Sequence, residues 1–129
     1  MKLHRMMVCV NRDDGHILGI TLTLRTLGSE YVIVRNLKTL GNLGSSNCKP
    51  YLIPDDTQAE YIEVTYSDYI DSLVIKMTDD YYSFWGNKRS DVQTKTKRWE
   101  FDTDWQPIGI SGLMDDDGVL ALAPITYSM

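Results

Sequence analysis

A pattern that returns about every fifty residues is the feature that most constrains the fold. Each copy has a turn residue, four further positions and then a strand in which apolar and polar residues alternate. The copies start at Gly15, Ser67 and Gly118, which lie 52 and 51 positions apart. Repeats of this length in a strand-rich chain are typical of a symmetric all-β array. The sequence therefore predicts three similar β-units within a single domain, residues 1–129.

Strand signals extend along the whole chain, and no window has the spacing of an amphipathic helix. Turn clusters rich in Gly, Asn and Asp separate the strands. The predicted strands are residues 20–25, 31–34, 61–66, 73–77, 81–85, 98–101, 108–111 and 125–128. The apolar phase of the alternation predicts which side chains point inward. These are Ile20, Leu22, Leu24, Leu73, Ile75, Met77 and Ile125.

The third copy is interpreted as split across the two ends of the chain. A first strand at residues 6–10 would then complete the repeat that ends at Met129. We expect residues 6–10 to pair near residues 119–128, because such a closure protects the edges of the sheets.

The net charge is −5 and the pI about 4.8, which argues against nucleic acid and anionic membranes as partners. The one basic cluster, Lys95, Lys97 and Arg98, alternates with threonines and is interpreted as the solvated face of a strand. No apolar run approaches the ~18 residues of a membrane span. The apolar stretch near the N-terminus is too short for a signal peptide, which favours the cytoplasm or an organelle interior.

Cys9 and Cys48 are the two cysteines, and two cysteines make no disulfide framework. A single disulfide between them is possible, but two buried reduced thiols are the favoured interpretation.

The sequence gives no support for a metal site, a catalytic triad or a phosphate-binding loop. Residues 115–117 are all Asp, but they lack the alternating ligands of a calcium loop. His4 and His16 have neither metal nor triad spacing, and the Gly-rich residues 41–46 lack the lysine of a phosphate loop. We therefore expect no cofactor, no metal and no catalytic activity.

The array of three units closed by its termini resembles the β-prism of the jacalin-related lectins. The segments that carry the likeness, in chain order, are residues 13–15 with 19–22, 60–64 with 70–75, 85–86, and 108–112 with 118–120. Together they span nearly the whole chain. The resemblance implies a β-prism of three Greek-key four-stranded sheets with pseudo-threefold symmetry.

The resemblance also implies a sugar site. The family binds sugar hydroxyls through a Gly-x-x-x-Asp loop, in which backbone N–H groups and the carboxylate supply the hydrogen bonds without a metal. The first copy here ends in Gly19 and the third in Leu122, so only the second copy, which ends in Asp71, keeps the carboxylate. The predicted ligand-binding residues are Ser67, Asp68, Tyr69 and Asp71 of this loop and Trp85, Gly86 and Asn87 of the facing loop.

Two functions follow as expectations. The first is a non-catalytic, lectin-like module that binds a carbohydrate of the mannose, glucose or galactose class. The second is a β-prism that has lost sugar binding and acts as a structural or interaction subunit of a larger assembly, with a protein partner or as a homo-oligomer. In the second case Asp68 and Asp71 only satisfy a turn, and Trp85 belongs to the core.

Overall fold

The computed structural model describes residues 2–13, 15–27, 32–36, 40–41, 47–87, 93–115 and 117–128. The strands among them are β1 Lys2–Val10, β2 Ile17–Leu27, β3 Val32–Asn36, β4 Leu40–Gly41, β5 Asn47–Leu52, β6 Ala59–Tyr66, β7 Ile70–Met77, β8 Tyr82–Gly86, β9 Lys95–Glu100, β10 Trp105–Asp115 and β11 Gly118–Ser128. None of the described residues is helical, so no helix there could cross a membrane. Asp14, Tyr31, residues 42–46 and Asp116, which took part in the sequence predictions, lie outside the described residues.

The strands form three antiparallel sheets. Sheet 1 has the order β3-β2-β1-β5, with β4 also pairing with β2. Sheet 2 has the order β8-β7-β6-β9, and sheet 3 is the hairpin of β10 and β11. β1-β2, β6-β7 and β10-β11 are therefore the central hairpins of three related units. The repeat predicted three units, but it assigned the first strand to the third unit instead of the first.

The central hairpins share two β-bulges at matching places. The register shifts fall between Leu3/Arg5 and Cys9/Val10 in the first hairpin, Ala59/Tyr61 and Thr65/Tyr66 in the second, and Pro107/Gly109 and Leu113/Met114 in the third. The hairpins consequently correspond residue by residue between the bulges. Ile17, Ile70 and Val119 are equivalent and buried, and they lie 53 and 49 positions apart rather than 52 and 51.

The predicted pairing of residues 6–10 with residues 119–128 is wrong. β1 lies in the middle of sheet 1, where it pairs with β2 on one side and β5 on the other. The physical reason is local. Only a short turn separates β1 from β2, so closing this hairpin costs little chain entropy.

The core lies between the sheets and contains most of the side chains predicted to point inward. Six of them, Ile20, Leu22, Leu24, Leu73, Ile75 and Met77, are buried, which confirms their phase. The prediction for Ile125 is wrong, because this side chain is 47% exposed. Its neighbours Leu122 and Pro124 match the buried Leu73 and Ile75 in register, so Ile125 lies on the outer face.

Cys9 and Cys48 form a disulfide, so the favoured interpretation as reduced thiols is wrong. The two residues face each other directly on the paired strands β1 and β5, with their Cα atoms 4.0 Å apart. Register therefore brings the sulfurs together. Disulfides persist in oxidising compartments, which weighs against the interior residence that the sequence favoured.

Candidate functional site

Turns from all three central hairpins meet at one end of the molecule. The rings of His16 and Tyr69 stack with their centroids 4.8 Å apart. His16 Nε2 lies 2.6 Å from the backbone oxygen of Asp117, and the Tyr69 hydroxyl donates to Asp115 Oδ2 at 3.1 Å. We call His16, Tyr69, Asp115 and Asp117 the turn cluster. Through Tyr69, this cluster connects the predicted loop of residues 67–71 with the turns of the other two hairpins.

Asp71 is the extra residue of the second β-bulge in sheet 2. Tyr66 pairs with Ile70 and Thr65 pairs with Ser72, which leaves Asp71 without a partner residue on β6. Bulges redirect side chains and are frequent beside binding sites. The Asp71 side chain is thereby placed under the turn, where the residue is 1% exposed.

The two carboxylate oxygens of Asp71 have different surroundings. Ser67 Oγ donates to Oδ2 at 2.7 Å, which joins the first and last residues of the predicted loop. Oδ1 is buried and has no hydrogen-bond partner among the described residues. Buried polar atoms are almost always bonded, so Oδ1 is an acceptor that a ligand donor could satisfy.

The strand register matches Asp71 with other residues than the sequence spacing did. The matching bulge positions are Leu18 in the first hairpin and Leu120 in the third, rather than Gly19 and Leu122. Leucine has no hydrogen-bonding side chain. The loop of the second copy is thus the one described hairpin turn with a carboxylate at this position.

The facing segment lies beside Asp71, where the sequence placed it. Asn87 N donates to the backbone oxygen of Asp71 at 3.0 Å. Gly86 has φ +87°, and a Cβ there would collide with the same backbone oxygen. Glycine is required at this position for both reasons. Residue 87 approaches the loop because residue 86 has no side chain.

Trp85 is a core residue, which is one of the two alternatives left open by the sequence. It is 3% exposed, and its Nε1 donates to the backbone oxygen of Lys49 at 2.9 Å. The Lys49 ammonium lies 5.5 Å from the centre of the indole. The faces of this ring are therefore covered by the protein.

Tyr69 is the aromatic residue of the loop that reaches the surface. Desolvation raises the pKa of its hydroxyl, and the hydrogen bond to Asp115 raises this pKa further. Asp68 is exposed beside it. Ser67 is not among the described residues with positive φ, so serine fits where the related loop has glycine.

Sequence reasoning missed His16 and Asp115. Both follow or belong to turns that had been recognised, but the turns come from different copies. His16 is 53 positions from Tyr69, and no local pattern indicates that contact.

The sequence matches no protein-family model, and no curated protein resembles it closely enough to count as a relative. Solved structures do match. A prostate-specific WGA16 glycoprotein lectin aligns with a TM-score of 0.78 at 13% identity, covering 99% of this chain and 83% of that one. The agglutinin of Calystegia sepium aligns at 0.73 and 13%, and Malaysian banana lectin at 0.70 and 11%, each covering 99% of this chain and 84% of the other.

The chain therefore has the β-prism fold of the jacalin-related lectins, as its sequence predicted. The fold class is confirmed over the full length, although sheet 3 has two strands among the described residues where four were expected.

Proposed function

We propose that this protein is a non-catalytic, lectin-like module that binds carbohydrate through the loop of residues 67–71. The observation that carries the proposal is Oδ1 of Asp71, a buried carboxylate oxygen that has no hydrogen-bond partner among the described residues. A sugar hydroxyl would donate to it, and a bond of this kind is strengthened by the charge. No metal is needed for such a contact.

The loop offers further groups to a sugar. Asp68 is exposed, Tyr69 is half-buried, and Asn87, whose backbone N–H donates to the Asp71 oxygen, is exposed beside the loop. Because Oδ1 is buried, we infer that the turn of residues 67–69 moves aside to admit the sugar. That turn is held by the bond from Ser67 Oγ to Asp71, a backbone bond from Ser67 N to Tyr69 O at 3.0 Å, and the Tyr69 hydroxyl.

The matched structures support the class of ligand. Two of them are complexes of Calsepa lectin, one with a biantennary N-glycan and one with a bisected glycan. Those proteins share the fold with this chain at 13% and 14% identity. The proposal extends this ligand class, a glycan, to this chain.

Calorimetric titration with a biantennary N-glycan tests the proposal. Asp71→Asn keeps the shape of the side chain but removes its charge, so binding should weaken by about 1.5–3 kcal/mol. Asp104→Asn is the matched control, since Asp104 is an exposed acid on a different turn. Equal affinity of the wild type and Asp71→Asn would contradict the proposed site.

A second function, that of an interaction subunit, is favoured by one specific surface. The β10-β11 hairpin carries large apolar side chains that are exposed, namely Trp105, Leu113, Met114, Leu120, Ile125 and Tyr127. Exposed apolar patches of this kind mark contact surfaces for other molecules. Light scattering tests whether this surface forms a homo-oligomer. If the protein is a monomer, the partner of an interaction subunit would have to be a different protein.

A further inference from the structure

The loop of residues 67–71 lies among carboxylates. Asp68 belongs to the loop itself and is exposed. The Tyr69 hydroxyl donates to Asp115 Oδ2 at 3.1 Å, which brings a second exposed acid to the loop. The Asp117 N–H donates to Asp115 Oδ1 at 2.8 Å, so a third exposed acid lies in the same turn. A sugar held at this loop would therefore meet negative charge from two of the three central hairpins.

The pKa of Tyr69 shows which sign of charge dominates there. Desolvation raises this pKa, and the hydrogen bond to Asp115 raises it further. The negative charges of Asp115, Asp117 and Asp68 then add to the increase, because they disfavour a phenolate. A second anion at the same place, such as a carboxylate carried by a sugar, would be disfavoured for the same reason.

Two described cations lie on elements next to the loop. Arg12 belongs to the turn between β1 and β2, where Asp13 follows it, and Lys95 pairs with Tyr66 at the start of β9. Both cations are exposed, and among the described residues neither forms an ion pair with residues 67–71. The described charge at the loop is therefore mainly that of the carboxylates.

Asp71 adds a buried charge below the turn. The residue is 1% exposed, Ser67 Oγ donates to its Oδ2, and its Oδ1 has no hydrogen-bond partner among the described residues. No described cation forms an ion pair with it. An ionised carboxylate that is buried without a counter-charge is costly, because burial removes its solvation. A ligand that brings a positive charge would offset this cost more fully than a neutral hydroxyl would.

Sugars of three charge classes would meet this site differently. A neutral hexose presents hydroxyls only, an amino sugar adds a protonated amine, and a uronic acid adds a carboxylate. The amine donates a hydrogen bond between two charged groups to Asp71 Oδ1, and charge-assisted bonds are about twice as strong as neutral ones. The carboxylate of a uronic acid meets Asp68 and Asp115 as a like charge, which weakens binding.

We propose that the loop of residues 67–71 selects glycans by charge and binds sugars with a protonated amine most tightly, neutral sugars less tightly and uronic acids least. The exposed acids Asp68, Asp115 and Asp117 reject the uronic acids, and the buried Asp71 prefers the amine. This inference rests on the proposed carbohydrate-binding function and adds the ligand class that the same loop prefers.

Three tetrasaccharides that differ in this charge test the proposal. They are a neutral hexose oligomer, the corresponding amino-sugar oligomer and the corresponding uronic acid oligomer, in the glucose and galactose series. Every ring carries the charge, so the comparison does not depend on which ring enters the loop. Calorimetric titration is carried out at about pH 6, where such amines are protonated and exposed carboxylates are ionised. Relative to the neutral oligomer, the amino sugar should bind about tenfold more tightly and the uronic acid about tenfold more weakly.

Salt separates selection at the loop from a general attraction of cations to an acidic protein. The Debye length falls from about 10 Å at 0.1 M salt to about 3 Å at 1 M. The rejection of the uronic acid by exposed acids should therefore shrink at high salt. The advantage of the amine should persist, because a bond to the buried Asp71 is screened much less.

Variants locate the selection. Asp68→Asn removes an exposed charge from the loop, so the uronic acid should bind about threefold more tightly than it binds the wild type. Asp71→Asn should weaken the binding of the amino sugar more than that of the neutral sugar. Asp104→Asn, which removes an exposed acid on a different turn, is the matched control and should leave the ratios of the three affinities unchanged. Circular dichroism checks the fold of each variant.

The order of the affinities decides the proposal. It is overturned if the amino sugar binds no more tightly than the neutral one, if its advantage disappears at high salt, or if the uronic acid binds as well as the neutral sugar. An unchanged affinity of folded Asp68→Asn for the uronic acid, or an equal change in Asp104→Asn, would also overturn it. All these results leave the carbohydrate-binding function standing, whereas a wild type that binds no glycan at all would contradict that function as well.

Discussion

Tyr51 and Trp99 occupy the same register position in two sheets, but only the ring of Tyr51 is covered. Tyr51 stacks on Tyr81 with the ring centroids 5.2 Å apart. Its hydroxyl is buried without a hydrogen-bond partner among the described residues. Desolvation, with added repulsion from Asp79, raises the pKa of Tyr51 to about 12.

Tyr51→Phe should therefore change how stability depends on pH. The pKa of Tyr51 is about 12 in the folded protein, against an ordinary value of 10.0. The contribution of its neutral hydroxyl to folding stability is therefore fully present below about pH 10, and it is lost as the pH rises to about 12. Urea denaturation should show a smaller loss across this window for Tyr51→Phe than for the wild type. At pH 7 the variant should equal the wild type or gain up to about 1 kcal/mol, because an unsatisfied hydroxyl is removed. Parallel pH curves for the two proteins would contradict the burial of this hydroxyl.

Gly86 and Gly109 form a matched pair for testing the approach of β8 to Asp71. Gly86→Ala should destabilise the fold by about 2–4 kcal/mol, since it combines a positive φ with a collision against the Asp71 backbone. Gly109→Ala should cost less than about 1 kcal/mol, because its Cβ would be in ordinary contact with Ile125 at 3.4 Å. Chemical denaturation measures the free energy of unfolding of both variants. Similar losses at both positions would show that the close approach of Gly86 to the Asp71 backbone does not constrain the fold.

The Cys9–Cys48 disulfide closes a loop of 39 positions between β1 and β5. Reducing it should lower the free energy of unfolding by about 2–4 kcal/mol, mainly because the unfolded chain gains freedom. The double variant Cys9→Ala/Cys48→Ala should show a comparable loss and no response to reductant. A thermal transition of the wild type that reductant leaves unmoved would contradict the bond.

Leu73 and Ile125 test the phase of two equivalent strands. Leu73→Ala should cost about 2–5 kcal/mol, because the side chain is fully buried. Ile125→Ala should change stability by about 0.5 kcal/mol or less, as expected for an outward-facing residue. If chemical denaturation gave comparable losses for both, the register of β11 would be wrong.

The strand that follows each turn of the repeat could be predicted because its cause is local. A turn residue followed by alternating apolar positions specifies a strand and its inner face, as with Ile20 and Leu73. The same logic failed at Ile125, because in the last part of β11 Pro124 and Thr126 follow the buried Leu122 on the inner face, whereas Ile125 and Tyr127 lie on the outer one. Pro124 and Thr126 line an open groove instead of the closed core, so this part of the strand does not need apolar residues on its inner face. The alternation of one strand cannot reveal such a groove.

The site was predictable where spacing decides it and not elsewhere. Ser67 and Asp71 are four positions apart, so the repeat pattern predicted that both belong to one loop, and the hydrogen bond between them is an addition that the structure supplies. Whether Trp85 faces the loop or the core depends on which alternate residues of the strand at 81–85 point inward. Most residues of this short strand are aromatic, so its sequence does not show which of them these are. The contact of His16 with Tyr69 joins two copies of the repeat, so it emerges only from the assembled fold.

A glycan array tests the central claim most directly, because it compares many oligosaccharides at once with the same protein. The wild type should bind a defined set of glycans, and Asp71→Asn should lose that binding while its thermal transition shows that it remains folded. Glycan binding that is identical in Asp71→Asn would contradict the assigned loop. A folded wild type that binds no glycan on the array would contradict the carbohydrate-binding function itself.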